Sequence, residues 1–455
     1  MSIHTILKKL IDRHKMLNHL PLAHVLLLFV VIKEVIMYFK TTAIAFHRNI
    51  WLIFAIFCSA ALVALVVLLY NGAFSYGSIL AQERFVKNPQ IIFVIVPATF
   101  LITAYLCKRF SPNAAGSGTA HVVSALEKLS DSKKQSDGAA EYISPKTIIV
   151  TMICSVLCAA GGGALGREGP AVQISAGIFA AIAQRVRRFL PKLDLRSWII
   201  AGSAAGFTIV FNAPFAGVIF AIEELSRACI GEKLFMIKTK VLLAVMVSAI
   251  VSWSIVGSRA VLGFPSMHFA WDFKVYLLLT LLALVSGFIA AIMKIITTKL
   301  TAWRKSTTGN LWYLFPILFG LLVAGVSFVV GQHSFGSGIA DMNEAIKSPR
   351  AVIDIGDLAG RFINVVASIA AGCPGGILLP SIAIGAHVGS VFSLLLPEVD
   401  ARIFISAGMS AFLSAILRAP FTVTVLVLEI TNQIELAMPL LLSGLLASWT
   451  FQKCN

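Results

Sequence analysis

Apolar positions along this chain gather in long uncharged runs. Trp51 to Tyr70, Thr147 to Leu165, Val275 to Met293 and Leu311 to Val330 are the clearest. Each is long enough, as a helix rising about 1.5 Å per residue, to cross a hydrocarbon core of about 30 Å. Shorter or interrupted runs lie at Ile91 to Cys107, Val241 to Val256, Ser381 to Leu396 and Leu436 to Phe451. The pattern predicts an all-α polytopic membrane protein in which several helices are broken or re-entrant, the places where transporters put their sites.

Composition agrees: of 455 residues 58% are hydrophobic and only 13% charged, too few to wet the surface of a soluble globule. The net charge of +16 does not point to nucleic acid, because the basic residues lie between apolar runs, as topology determinants do. Residues 1–50 hold seven Lys/Arg against Asp12 and Glu34, and the linker 108–146 holds six against four acids. Both read as cytoplasmic, which puts the N-terminus on the cytoplasmic side of the cell's inner (plasma) membrane. No cleavable signal is evident, and Leu22 to Ile32 reads as an interfacial helix within a segment 1–49. The seven cysteines lie mostly inside apolar runs and predict no disulfide framework. Cys154 and Cys158 share a helix face but have no His or carboxylate nearby in sequence, so packing is expected rather than a metal. No cofactor is called for.

The chain repeats itself. Gly116-Ser117-Gly118-Thr119-Ala120 returns as Gly336-Ser337-Gly338-Ile339-Ala340, an offset of 220. Gly166-Arg167-Glu168-Gly169-Pro170 matches Gly376-Ile377-Leu378-Leu379-Pro380 at 210. Ala201-Gly202, Ala213-Pro214-Phe215 and Glu223 match Ala407-Gly408, Ala419-Pro420-Phe421 and Glu429 at 206. Marks in one order, with offsets drifting only through loop lengths, make the body two copies of one design. The division expected is 50–232 and 233–455. The repeat alone leaves open whether the copies run parallel or inverted.

The repeated marks read as helix starts. Gly-Ser-Gly allows close backbone approach and supplies a hydroxyl, and Gly-x-x-x-Pro places Pro where a first turn tolerates a missing N–H. Such ends present unpaired N–H groups and the positive end of the helix dipole, which can hold a dehydrated anion.

With these residues the chain resembles the CLC chloride channels and chloride/proton exchangers. Their signatures have the forms G-S-G-x-P, G-(K/R)-E-G-P and G-x-F-x-P, and the likeness extends over about residues 50 to 450, through Phe211 to Gly217 and Arg418 to Glu429. The resemblance implies inverted-topology repeats and a homodimer in membrane lipid. It also implies an anion site at Ser117, Gly118, Glu168, Gly169, Ile377 and Leu378, a gate at Glu168 and an inner proton relay at Glu224. Ser117 in the first motif implies chloride rather than nitrate. Three features depart from the pattern: Ala120 replaces Pro, Leu378 replaces Phe, and little chain follows Leu436 to Phe451. The family's further helix, whose Tyr closes the inner side of the site, and its cytoplasmic CBS pair are therefore expected to be missing.

Glu168 is the sharpest candidate, since a carboxylate inside an apolar body is costly unless used. Ionised, it would be held by the N–H groups that hold the anion; protonated, it would lose that attraction. Arg167 reads as structural. Glu223 and Glu224 point about 100° apart on a helix and cannot share a task. Glu223 and Glu429, at matched places, suit a structural one. Chloride/proton exchange is the leading reading, a passive channel through the same site the second, and a scaffold with degenerate sites the third. Ser117 and His121 at i, i+4 could suggest a hydrolase, but no G-x-S-x-G, H-E-x-x-H or orienting acid accompanies them, so no enzyme is expected. A Walker motif is absent as well.

Overall fold

The computed structural model describes residues 46–130, 141–188, 193–225, 234–258, 260–263, 272–339, 342–343 and 355–454. Most of segment 1–49, Lys192 and Arg227 lie outside them. The chain divides into a unit Met1–Phe54 and a unit Ala55–Asn455. The described part of the first is the start of α1, and all that follows concerns the second.

The first series of helices is α1 (Phe46–Lys87), α2 (Ile92–Phe110), α3 (Gly118–Ser130), α4 (Pro145–Ala160), α5 (Glu168–Val186), α6 (Leu195–Phe211), α7 (Pro214–Glu223) and α8 (Leu234–Val256). A second follows: α9 (Phe273–Ser306), α10 (Leu314–Val330), α11 (Ile355–Ala371), α12 (Leu378–Ser393), α13 (Ala401–Leu417), α14 (Pro420–Thr431) and α15 (Ala437–Cys454). Six helical segments among the described residues are long and apolar enough to cross a membrane. They lie along α1, α2, α8, α9, α10 and α15, so the interrupted runs at 91–107, 241–256 and 436–451 are full-length helices. The run Thr147 to Leu165 is not one: α4 stops at Ala160, where Gly161-Gly162-Gly163 turns the chain and Gly162 takes φ +82°. Its remaining residues form the loop into α5.

The two series are stopped and started alike. Asp194 accepts the N–H groups of Arg196 (3.2 Å) and Ser197 (2.9 Å) to begin α6, and Asp400 accepts that of Arg402 (3.0 Å) to begin α13. Both helices end on a left-handed residue, Asn212 at φ +51° and Arg418 at φ +56°, followed by Ala-Pro opening the next helix. Asn tolerates that backbone; Arg does so at a cost of about 1 kcal/mol. Every residue of α6 from Ser197 to Phe211 is buried, and α13 is nearly so. Such helices, apolar all round, belong inside the protein. α5 packs on α6 as α12 packs on α13, and α8 on α6 as α15 on α13.

α7 and α14 also pack together, and each caps the other. Glu223, ending α7, accepts from Phe421 N–H (3.3 Å) and Thr422 N–H (2.6 Å) at the start of α14. Glu429 on α14 accepts from Phe215 N–H (3.1 Å) and Ala216 N–H (2.7 Å) at the start of α7. The exchange requires the two helices to run in opposite directions, so the copies are inverted. It also gives Glu223 and Glu429 one shared structural task.

Candidate functional site

Three helix starts converge between the copies. The loop before α5 meets the loop before α12 in a short antiparallel bridge: Gly166 N–H donates to the Gly376 carbonyl (2.8 Å) and Gly376 N–H to the Gly166 carbonyl (2.6 Å). The loop before α3 joins them, since Gly375 N–H donates to the Gly116 carbonyl at 3.2 Å. Across the interface, Ser368 of α11 accepts Ala164 N–H at 3.0 Å and pins the α4–α5 loop. The backbone polar groups of these non-helical segments are thus paired with one another inside the protein, as an apolar surround demands.

Glu168 lies within this knot, fully buried at 0% exposure. Its Oε1 accepts Leu379 N–H from the first turn of α12 at 2.9 Å. The N–H groups of Leu378 and of Glu168 itself also turn toward the carboxylate. Among the described residues Oε2 has no hydrogen-bond partner. The place exists only because two glycines flank it. A Cβ on Gly376 would meet the Glu168 carboxylate and come within 2.7 Å of Gly169 N, and a Cβ on Gly166 would meet the same carboxylate. The carboxyl group thus sits on helix-start N–H donors, whose dipoles favour its charged form. Arg167 turns away, its Nη1 donating to Ser75 Oγ of α1 at 2.6 Å, which suits its structural reading.

Of the residues picked out by sequence, Ser117, Gly118, Glu168, Gly169, Ile377 and Leu378 fall in this cluster. Gly118 opens α3 against the Gly169 carbonyl, closer than a side chain would permit. Ser117, half-buried, precedes it and accepts His121 N–H on its carbonyl at 3.2 Å. Ile377 caps α12, half-buried, and Leu378 is buried. Glu224 stands apart at the C-terminal end of α7, half-buried, on a helix that packs against α6, α8 and α14.

The motif reading missed three participants. Leu379, not Ile377, supplies the N–H at 2.9 Å to Glu168; the second residue of a helix start is as good a donor as the first, so motif spacing could have included it. Tyr70 of α1, its hydroxyl paired with Ser155 Oγ at 2.9 Å, lies within electrostatic reach of Glu168 and Arg167. Gln173, one turn into α5, donates to the Tyr142 carbonyl at 2.7 Å. Neither Tyr70 nor Gln173 carries a signal that sequence alone could single out.

Comparison with known proteins matches residues 99–452 to the family described as voltage gated chloride channel. The H(+)/Cl(-) exchange transporter ClcA of Yersinia pestis bv. Antiqua (strain Angola) is 29% identical over 409 residues, covering 85% of this chain and 82% of that one. The ClcA of Klebsiella pneumoniae (strain 342) is 28% identical, covering 78% and 75%. Among solved structures, a slow cyanobacterial Cl-/H+ antiporter superposes with a TM-score of 0.73 at 21% identity, over 88% of this chain and 94% of that one. A CLC-type fluoride/proton antiporter does so at 0.71 and 19%, over 87% and 94%. These structures share its fold of broken apolar helices. This chain is a multi-pass membrane protein, a transport protein rather than an enzyme, and it belongs to the voltage gated chloride channel (CLC) family.

Proposed function

We propose that this protein exchanges chloride for protons, with Glu168 as both the gate of the anion site and a proton acceptor. The observation that carries the reading is the Glu168 carboxylate itself, seated on the N–H donors of two helix starts with one oxygen unpartnered among the described residues. Carboxylate and halide both want those donors, so only one can hold them at a time. Protonation removes the charge that binds the side chain there and releases the place to chloride. Proton and anion are thereby linked through one side chain, which holds the site when charged and leaves it when protonated. The exchange transporters to which the chain is similar support the same reading.

In this account Ser117, Gly118, Gly169, Ile377 and Leu378 bind the anion, joined by Leu379. Glu224 relays protons on the inner side, from a helix end away from the anion. The protein works in the inner (plasma) membrane as a homodimer, N-terminus in the cytoplasm, with lipid around it. The decisive experiment reconstitutes purified protein in liposomes under a chloride gradient while internal pH is followed. Uphill proton movement is expected in the wild type, and chloride flux without protons in Glu224→Ala. Chloride flux without proton movement in the wild type would make the protein a passive channel, and continued uphill pumping in Glu224→Ala would remove the relay.

A further inference from the structure

Away from the anion site, a cavity of about 330 Å³ opens between the start of α4 and the end of α5. Ile143, Pro145 and Ala180 give it an apolar floor, while Gln184, Arg185 and Arg188 form a polar edge. Arg185 lies in the last turn of α5 and Arg188 in the turn just past its end, and both line the cavity. Both are exposed, and among the described residues neither has a carboxylate partner. Arg185 spends one N–H on the Ala181 carbonyl (3.3 Å), leaving the rest of its fork available. Of the described acids nearest in sequence to the lining, Glu141 is exposed and Asp194 caps the start of α6, and neither lines the cavity.

The apolar part continues beyond the cavity. Pro145, Ile149 and Ile153 fall at i, i+4 and i+8 on α4, one face of the helix. Ile149 is 56% exposed and Ile153 52%. A cationic fork at one end and an apolar track leading from it match a ligand with an anionic head and a hydrocarbon tail. A free anion would have no use for the track.

We propose that this cavity binds the phosphate headgroup of an anionic phospholipid, Arg185 and Arg188 on the phosphate and one acyl chain along Ile149 and Ile153. The site differs from the anion pathway in place and in chemistry. It ties the start of α4 to the end of α5, the helix whose other end is Glu168.

Native mass spectrometry of the purified protein from mixed micelles of phosphatidylglycerol and phosphatidylcholine tests it. Retained phosphatidylglycerol should exceed phosphatidylcholine for the wild type, and that preference should fall about tenfold or more in Arg185→Gln/Arg188→Gln. Arg187→Gln, equal in charge lost per residue and exposed outside the cavity, should keep the wild-type preference. Ile149→Gln, which leaves both arginines in place, should also lower retention. Equal retention by wild type and double variant would overturn the proposal, as would an equal loss in Arg187→Gln. Displacement of the lipid by excess inorganic phosphate would make the site a phosphate site and not a lipid one.

Discussion

The two Gly-Ser-Gly loops sit at matched places in the two copies, and the protein treats them in opposite ways. In the first copy, Gly118 approaches the Gly169 carbonyl and lies near the Gln173 amide, which Thr151 Oγ1 meets at 3.4 Å. At the same offset of 210, the second copy has Ala383 for Gln173 and Arg361 for Thr151. Arg361 is fully buried, and its guanidinium donates to the carbonyls of His333 and Gly336, each at 2.5 Å, and of Phe335 at 3.4 Å. Asn364, one turn on, donates to the Ser334 carbonyl at 2.8 Å. The second loop is therefore closed by a cation that cannot lose its charge. Beside the first loop, Glu168 carries a charge that can be lost. Of these two charges, Arg361 is permanent and Glu168 titratable, so only the second can switch.

The sharpest way to break this contrast is to remove the switch. Glu168→Ala is expected to abolish proton movement in liposomes and to leave chloride flux independent of pH. Flux that still follows pH in that variant would place the gate elsewhere. Removing the fixed charge should cost stability instead. Arg361→Leu leaves the carbonyls of His333, Phe335 and Gly336 short of donors, a loss of about 3 kcal/mol, read as a lower thermal unfolding midpoint in detergent. Thr151→Ala, at the matched place, should cost about 1 kcal/mol or less. Equal costs would mean that the two loops are not treated differently. Effects of similar size belong to the shared caps. Glu223→Gln and Glu429→Gln should each cost about 1 kcal/mol, and the double variant less than their sum, because both hold α7 to α14. Strict additivity would show the two caps to be independent.

Much of this was legible in the sequence because helix starts are local chemistry. Gly166 to Pro170 and Gly376 to Pro380 announce two such starts, and Glu168 is conspicuous as an acid in apolar surroundings. The matched Glu223 and Glu429 announced a common structural task, though not that each would cap the other's helix. Arg361 was not legible: its partners are main-chain carbonyls some 25 residues away, and no motif marks a carbonyl. The end of α4 was missed because hydropathy does not distinguish Ala-Gly-Gly-Gly in a loop from the same residues in a helix. We also propose that the copies divide after α8 rather than at 232/233, since α8 packs on α6 as α15 packs on α13. The run 241–256 gave hydropathy but no partner, and only packing says to which copy it belongs.

The central claim is that one side chain and one halide compete for the same N–H donors. Calorimetric chloride titration of the purified protein across pH tests it most directly. Protonation discharges Glu168 and frees the donors, so wild-type affinity should rise as pH falls. In Glu168→Gln, which cannot ionise, affinity should not change with pH. A wild type with pH-independent affinity, or a Glu168→Gln variant that keeps the wild-type pH dependence, would contradict the account.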